Sequence, residues 1–244
     1  MKMNRYAVIL GSSGGIGKAI SRKLAADGWS LYLHYNQNKE RAVELKKVLT
    51  EKHPEGDFRI VQADFSERDG AGKLAEQVGH VQAIVVALGQ SMLKLLTDTN
   101  SSDMDALWRV HMQNPAMFIS LTSPQLRSHP ISYVLFIGSI WGDSGAAGEV
   151  MYSAVKGAQH AFVKAYAKEA AYTGTRVNAI SPGWIETEMN EELSEDDKQL
   201  VIDQIPLQTT GQPEQVADLA RFLLSGKADY MTGEILKLNG GWYI

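Results

Sequence analysis

Short, continuously apolar runs alternate along the chain with longer stretches in which apolar side chains recur every three or four residues. The runs at 5–10, 31–35, 58–62, 83–87, 132–137, 176–180 and 235–238 have the length and composition of buried strands. The stretches near 15–27, 38–52, 66–78, 103–127, 151–172 and 213–224 carry the helical period. Strand and helix in turn predict an α/β architecture, a parallel sheet covered by helices on both faces. No repeat, low-complexity tract or linker divides the chain, so residues 1–244 are expected to form one domain.

The alternation fails once. From 185 to 208 the sequence is polar and acidic, with Glu191-Glu192 and Glu195-Asp196-Asp197, bracketed by Pro182-Gly183 and Pro206. The pattern predicts a mobile excursion with one or two short helices, placed to close over a site, or else a solvated insertion.

Composition narrows the function classes. With 244 residues and 44% hydrophobic content the chain can bury a sizeable core. Net charge is -4 and the sequence pI is 5.9, with both signs dispersed; no basic stripe exists to replace phosphate counterions, so no nucleic-acid partner is expected. The absence of cysteine excludes disulfides, thiol catalysis and Cys-based zinc sites. His34, His53, His80, His111, His129 and His160 lack paired spacing with carboxylates, so no metal is expected. The first ten residues show no signal-peptide pattern, and no apolar stretch reaches the roughly 20 residues of a membrane helix. The expectation is a soluble, cytoplasmic protein.

Directly after the first strand comes Gly11-Ser12-Ser13-Gly14-Gly15-Ile16-Gly17, followed by a helix. Glycines permit a tight turn and close approach of a ligand to backbone, while a helix N-terminus offers free N–H groups to a pyrophosphate. Gly11, Ser13, Gly15, Ile16 and Gly17 are therefore candidate dinucleotide contacts. A carboxylate ending the second strand would bind an adenosine ribose diol and repel a 2′-phosphate. The sequence there is His34-Tyr35-Asn36-Gln37-Asn38-Lys39, without a carboxylate until Glu40. This favours NADP(H) over NAD(H), with Tyr35 and Asn36 at the site and Ser13, Lys39 and Arg41 as phosphate neighbours. Asp64, after the third strand, is placed to accept from the adenine amino group or, alternatively, to cap its own turn.

Tyr152 and Lys156, four residues apart on a helix, share one face, and Ser139 ends an apolar strand. A nearby ammonium lowers a phenol's pKa from about 10, which would let Tyr152 give up and regain a proton near neutrality. Ser139 lies at the carboxyl end of its strand, where open α/β sheets place their chemistry. The chemistry suggested is interconversion of a carbonyl and an alcohol. Taken singly, the same residues also suit a solvated helix face and a strand-ending turn.

Together these residues resemble the short-chain dehydrogenase/reductase family over essentially the whole chain. Gly11, Gly15 and Gly17 fit its TGxxxGxG motif; Ser139, Tyr152 and Lys156 fit its Ser and YxxxK; Asn178 to Gly183 with Thr187 fits NxxxPGxxxT; Thr232-Gly233 and Asn239-Gly240-Gly241 resemble its C-terminal signature. The resemblance implies a Rossmann-type, doubly wound seven-stranded sheet and hydride transfer between a nicotinamide and a carbonyl. It makes Tyr152 the general acid, Ser139 the holder of the carbonyl oxygen, and Lys156 the binder of the nicotinamide ribose. It also places Gly183, Ile185 and Thr187 at the carboxamide, and Ala87, Leu88 and Gly89 along the cofactor.

Three positions depart from the family pattern. Leu10 replaces the first-motif threonine and Val86-Ala87-Leu88-Gly89 replaces NNAG, both losing polar side chains that brace the sheet. His111 stands in place of the helix-four Asn whose main chain holds a relay water, four residues before Pro115. It can keep that backbone role, titrate within the relay, or leave the relay weakened.

Within the family the 11–17 loop, Ile205-Pro206-Leu207, the 212–217 segment and the Asn-Gly-Gly tail are most similar to 3-oxoacyl-[acyl-carrier-protein] reductases, which implies a 3-oxoacyl thioester substrate and a role in fatty acid biosynthesis; the alternatives are another ketone or secondary alcohol, such as a sugar or a steroid-like compound, and a low-activity NADP-binding sensor. The basic residues that would meet an acidic carrier protein are replaced by Pro130 and Thr173, with Arg127, His129 and Arg176 nearby. Trp141, Met151 and Trp184 suggest an apolar pocket. Apolar residues on more than one side of 103–127 and 151–172, with the C-terminal Trp242-Tyr243-Ile244, lead to an expected homotetramer, a dimer being the second choice.

Overall fold

The computed structural model describes residues 5–188 and 194–243. Seven parallel strands form one sheet: β1 (Arg5–Leu10), β2 (Trp29–Tyr35), β3 (Phe58–Gln62), β4 (Ala83–Val86), β5 (Ser132–Ile137), β6 (Thr175–Pro182) and β7 (Ile235–Leu238), in the order β3-β2-β1-β4-β5-β6-β7. The helices are α1 (Gly15–Ala26), α2 (Lys39–Lys52), α3 (Gly70–Ala75), α4 (Ser101–Trp108), α5 (Asn114–Leu126), α6 (Trp141–Ser144), α7 (Val150–Ala170), α8 (Glu195–Ile202) and α9 (Pro213–Leu223).

Both faces of each central strand are apolar because both are covered. On β1, Ala7 and Ile9 pack with Leu24 of α1, Leu45 of α2 and Ala220 of α9, whereas Val8 and Leu10 pack with Leu74 of α3, Phe118 of α5 and Val163 of α7. Strand order reverses between β1 and β4, so the carboxyl ends of these two strands flank the crevice where open α/β sheets bind ligands. The glycine loop follows β1 at that point and Ala87 follows β4.

Several boundaries differ from the sequence expectation. The stretch 66–78 is helical only over Gly70–Ala75, since Asp64 caps a turn through Ser66 and Asn114 holds the carbonyls of Phe65 and Glu67. The stretch 103–127 is three pieces, with a π-helical turn over Arg109–Gln113 between α4 and α5. The cause is Pro115. It has no N–H to give the carbonyl of His111, and its ring crowds that carbonyl, so the helix widens.

The 185–208 segment is pinned at both ends. Gly211 N donates to Trp184 O at 2.8 Å, and Glu186 N donates to Gly211 O at 2.8 Å. The expected short helix is α8, capped by Ser194, whose hydroxyl accepts from Asp197 N at 3.1 Å. Glu191 and Glu192 lie outside the described residues. No helix of the described residues is long and apolar enough to cross a membrane.

Candidate active site

The glycine loop has its shape because backbone packs on backbone. Gly11 has φ +83°, and a Cβ there would lie 2.6 Å from Ala87 O; one at Gly17 would lie 2.2 Å from Gly11 O. Thr187 closes over the loop, its methyl 3.1 Å from where a Gly15 Cβ would stand. The loop thus joins Gly11, Gly15 and Gly17 to Ala87 and Thr187, while Ser13 and Ile16 remain partly accessible on it. Beside it a cleft of about 340 Å³ is lined by Gly15, Lys18, Arg22, Thr187 and Glu214 among others.

Leu10 removes a threonine brace, and His34 supplies another. Gly11 N donates to His34 Nδ1 at 3.1 Å, so the opposite nitrogen, Nε2, is the protonated one and donates to Ala63 O at 3.0 Å. Burial lowers the His34 pKa to about 4, keeping the ring neutral and able to accept from the loop. No local sequence pattern marks this residue, because its role depends on β2 lying beside β1.

At the adenine end, Asp64 Oδ1 accepts from Ser66 N at 2.8 Å and Ser66 Oγ at 2.7 Å, so this oxygen caps the turn. Tyr35 ends β2, and Asn36 O accepts from Gln62 Nε2 at 3.2 Å. Arg41, expected beside a phosphate, pairs with Glu188 of the excursion. A phosphate there would compete with that carboxylate. Gly89 is exposed beyond β4, Gly183 packs on Asn239, and Ile185 is buried against Gly211.

Ser139, Tyr152 and Lys156 come together at the carboxyl end of β5. Ser139 is buried and accepts from Trp141 N at 3.2 Å, its hydroxyl near enough to the Tyr152 phenol to favour the phenolate. Lys156 Nζ lies 5.5 Å from the Tyr152 ring centroid and donates to Ile137 O at 2.9 Å. Here the expectation of a phenol lowered by Lys156 is overturned. Burial and, second, the charge of Glu149 raise the Tyr152 pKa, with the Ser139 hydroxyl opposing. Burial lowers the Lys156 pKa to about 7, so no permanent ammonium sits beside the phenol.

His111 is fully buried, its ring edge-on to Tyr152 with centroids 5.7 Å apart. Nε2 contacts Gln90 O at 2.9 Å, and Nδ1 has no hydrogen-bond partner among the described residues. Burial, with Lys156 second, lowers its pKa to about 3, so the ring does not change charge near neutrality. The carbonyl that Pro115 leaves vacant accepts from Gln159 Nε2 at 2.7 Å. Gln159, one turn beyond Lys156 on α7, is thus a site residue that the motif did not reveal.

The apolar wall is built within the chain. Trp141 meets Trp242 at 5.2 Å and Tyr243 at 5.6 Å between ring centroids, so the C-terminal aromatics pack beside the Ser139 turn, and Ile244 lies outside the described residues. Trp184 instead lines a separate cavity of about 110 Å³ with Ile205, Leu207 and Leu238. Among the described residues no group of three or more His, Asp or Glu side chains is arranged to hold a metal ion.

A dinucleotide fits this arrangement on two observations. The loop leaves no space for side chains at Gly11 and Gly17, presenting bare backbone ahead of α1. Lys156, 2% exposed, has at least two N–H donors even as a neutral amine and one protein acceptor, which leaves a donor for a ribose diol.

Two of the three buried histidines, His34 and His111, make the fold sensitive to acid. Both have folded-state pKa values below the ordinary 6.5, so the unfolded chain binds more protons below that pH. Their contribution is complete above pH 6.5 and is lost downward, through about 4 for His34 and about 3 for His111. At pH 5 each is expected to cost about 2 kcal/mol, from about 1.4 kcal/mol per pH unit. Urea midpoints measured from pH 8 to 5 should fall below pH 6.5, and Phe at position 111 should remove part of the slope.

The family described as Enoyl-(Acyl carrier protein) reductase matches residues 11–243. An uncharacterized oxidoreductase, YmfI of Bacillus subtilis, is 42% identical over 99% of this chain and 100% of its own. The 3-oxoacyl-[acyl-carrier-protein] reductase FabG of Staphylococcus aureus is 30% identical over the full length of both chains. Among solved structures, a blue fluorescent protein from a metagenomic library in complex with NADPH superposes with a TM-score of 0.92 at 26% identity, covering 100% of each chain. The ordered glycine loop, the Ser139, Tyr152 and Lys156 constellation and these full-length likenesses establish that the chain belongs to the short-chain dehydrogenase/reductase family of oxidoreductases.

Proposed function

We propose that this protein reduces a ketone to a secondary alcohol with NADPH, a 3-oxoacyl thioester being the leading substrate class. The observation that carries the reading is the convergence of the Ser139 hydroxyl and the Tyr152 phenol, beside buried Lys156, at the strand ends flanking the glycine loop. Ser139 holds the carbonyl oxygen, and Tyr152 gives it a proton as negative charge develops. The raised phenol pKa suits the reductive direction, because it keeps the proton on Tyr152 until the substrate becomes basic enough to take it. Lys156 and the 11–17 loop hold the cofactor, with Tyr35, Asn36 and Asp64 at its adenosine end and Ala87, Gly89, Gly183, Ile185 and Thr187 toward its nicotinamide. When bound, reduced nicotinamide supplies the hydride.

NADPH is supported by the missing carboxylate at 35–39 and by the NADPH complex of the structural neighbour. The 3-oxoacyl class is supported by the FabG likeness. A carrier protein has less support, since Arg176 Nε is engaged with Asp229 O at 2.5 Å and Arg127 with Ser123 of its own helix. Exposed Trp108, Met117 and Leu121 along α4 and α5 support an assembly of identical chains, a homotetramer in this reading. The direct test is NADPH oxidation with acetoacetyl-coenzyme A. Turnover at least about tenfold faster with NADPH than with NADH is expected, as a charged 2′-phosphate contact is worth at least about 1.4 kcal/mol. Turnover with NADPH on sugars alone would replace the acyl assignment.

A further inference from the structure

We propose that His160, held by Asp143, is a positioning residue for Ser139. The proposal rests on the reading of Ser139 as the hydroxyl that holds the substrate oxygen. Tyr152, Lys156 and His160 are spaced four apart on α7, so the histidine continues the catalytic face by one turn. It is 4% exposed. Its Nδ1 lies 3.1 Å from Asp143 Oδ1, and Ser181 Oγ donates to Asp143 Oδ2 at 3.2 Å, so each carboxylate oxygen has one partner. Asp143 cannot donate as a carboxylate; Nδ1 therefore carries the ring proton, and Nε2 has no hydrogen-bond partner among the described residues.

The ring touches backbone on both sides of Ser139. A Cβ on Gly138 would lie 2.6 Å from His160 Nε2, and one on Gly142 would lie 2.8 Å from His160 Cε1. Gly142 N donates to Ser139 O at 2.9 Å, and Asp143 N to Ile140 O at 3.0 Å, so Asp143 belongs to the same turn that carries Ser139. The pair thus ties that turn to α7, which bears Tyr152, and through Ser181 to β6. Three elements fix one hydroxyl relative to one phenol. Loss of the tie leaves both catalytic groups present but lets the turn shift, and a displacement near 1 Å at a reacting group costs on the order of 100-fold in rate.

The test is a double-mutant cycle between Asp143→Ala and Ser139→Ala, read by kcat for the carbonyl substrate, with NADPH affinity measured by fluorescence. Asp143→Ala is expected to lower kcat about 30-fold when Ser139 is present and less than about twofold when it is absent, with NADPH affinity unchanged. Asp143→Asn, which keeps an acceptor for His160, and His160→Gln, which keeps a donor for Asp143, should recover most of the rate and guard against a folding failure. Deuterium exchange at the amides of Gly142 to Ser144 should be faster in Asp143→Ala. Equal losses with and without Ser139 would overturn the proposal, and so would unchanged exchange. A wild-type protein that reduces no carbonyl would defeat the proposed activity instead, and exchange alone would then judge whether the pair holds the turn.

Discussion

Replacing Tyr152 by Phe is expected to lower carbonyl reduction by about 10³-fold, within the range a general acid supplies, while NADPH binds with near-native affinity. The phenol oxygen is the group that meets Ser139, and Phe keeps the ring that packs edge-on against His111. Since the ring stays, the variant should fold with a melting temperature close to wild type. Lys156 keeps its hydrogen bond to Ile137 O and its remaining donor capacity, so the cofactor side of the site is unchanged. A variant that bound NADPH and still reduced substrate at near-native rate would show that the proton comes from elsewhere. Loss of binding along with rate would mean that the phenol holds the cofactor more than it drives the chemistry.

The second large effect is expected at Gly17→Ala, with Gly14→Ala as its control. At Gly17 the added methyl would stand 2.2 Å from Gly11 O, 2.9 Å from Gly11 C and 3.0 Å from Ser12 Cα, all backbone atoms of the loop itself. At Gly14 the nearest atom would be 3.6 Å away, an ordinary contact. Alanine improves helix propensity at position 17 by up to about 1 kcal/mol, but the overlap forces the loop open at a typical cost of about 1 to 3 kcal/mol or more. NADPH affinity should therefore fall on the order of 100-fold in Gly17→Ala and change less than about threefold in Gly14→Ala, as read by fluorescence titration. Equal affinities would show that the loop is not the phosphate cradle.

The seven strands were legible because burial on both faces writes itself as short apolar runs, and all their ends fall within two residues of the expected ones, the largest differences being Trp29 at the start of β2 and Pro182 at the end of β6, where pairing with Leu238 extends the ladder. The helix over 103–127 was misjudged because apolar period carries no information on hydrogen bonding. Pro115 was visible, yet its consequence, a π turn with a carbonyl free for Gln159, follows only from backbone accounting. The same limit divides the site. Gly11 to Gly17, Ser139, Tyr152 and Lys156 are close in sequence or follow recognisable spacing. His34 under Gly11, Gln159 on His111, and Ser181 and His160 on Asp143 are contacts between elements that only sheet order and register bring together. Burial is equally invisible in a spacing. Lys156 four residues from Tyr152 predicted a cation beside a phenol, whereas desolvation moves the two pKa values toward their neutral forms.

The most direct test of the central claim follows the hydride. NADPH carrying deuterium at both C4 positions of the nicotinamide would be incubated with acetoacetyl-coenzyme A and with wild-type or Tyr152→Phe protein, and the product alcohol weighed by mass spectrometry. The account predicts a 3-hydroxyacyl product one mass unit heavier than that formed with unlabelled NADPH, made by wild type and nearly absent with Tyr152→Phe. Unlabelled alcohol, or oxidation of NADPH with no alcohol formed, would contradict it.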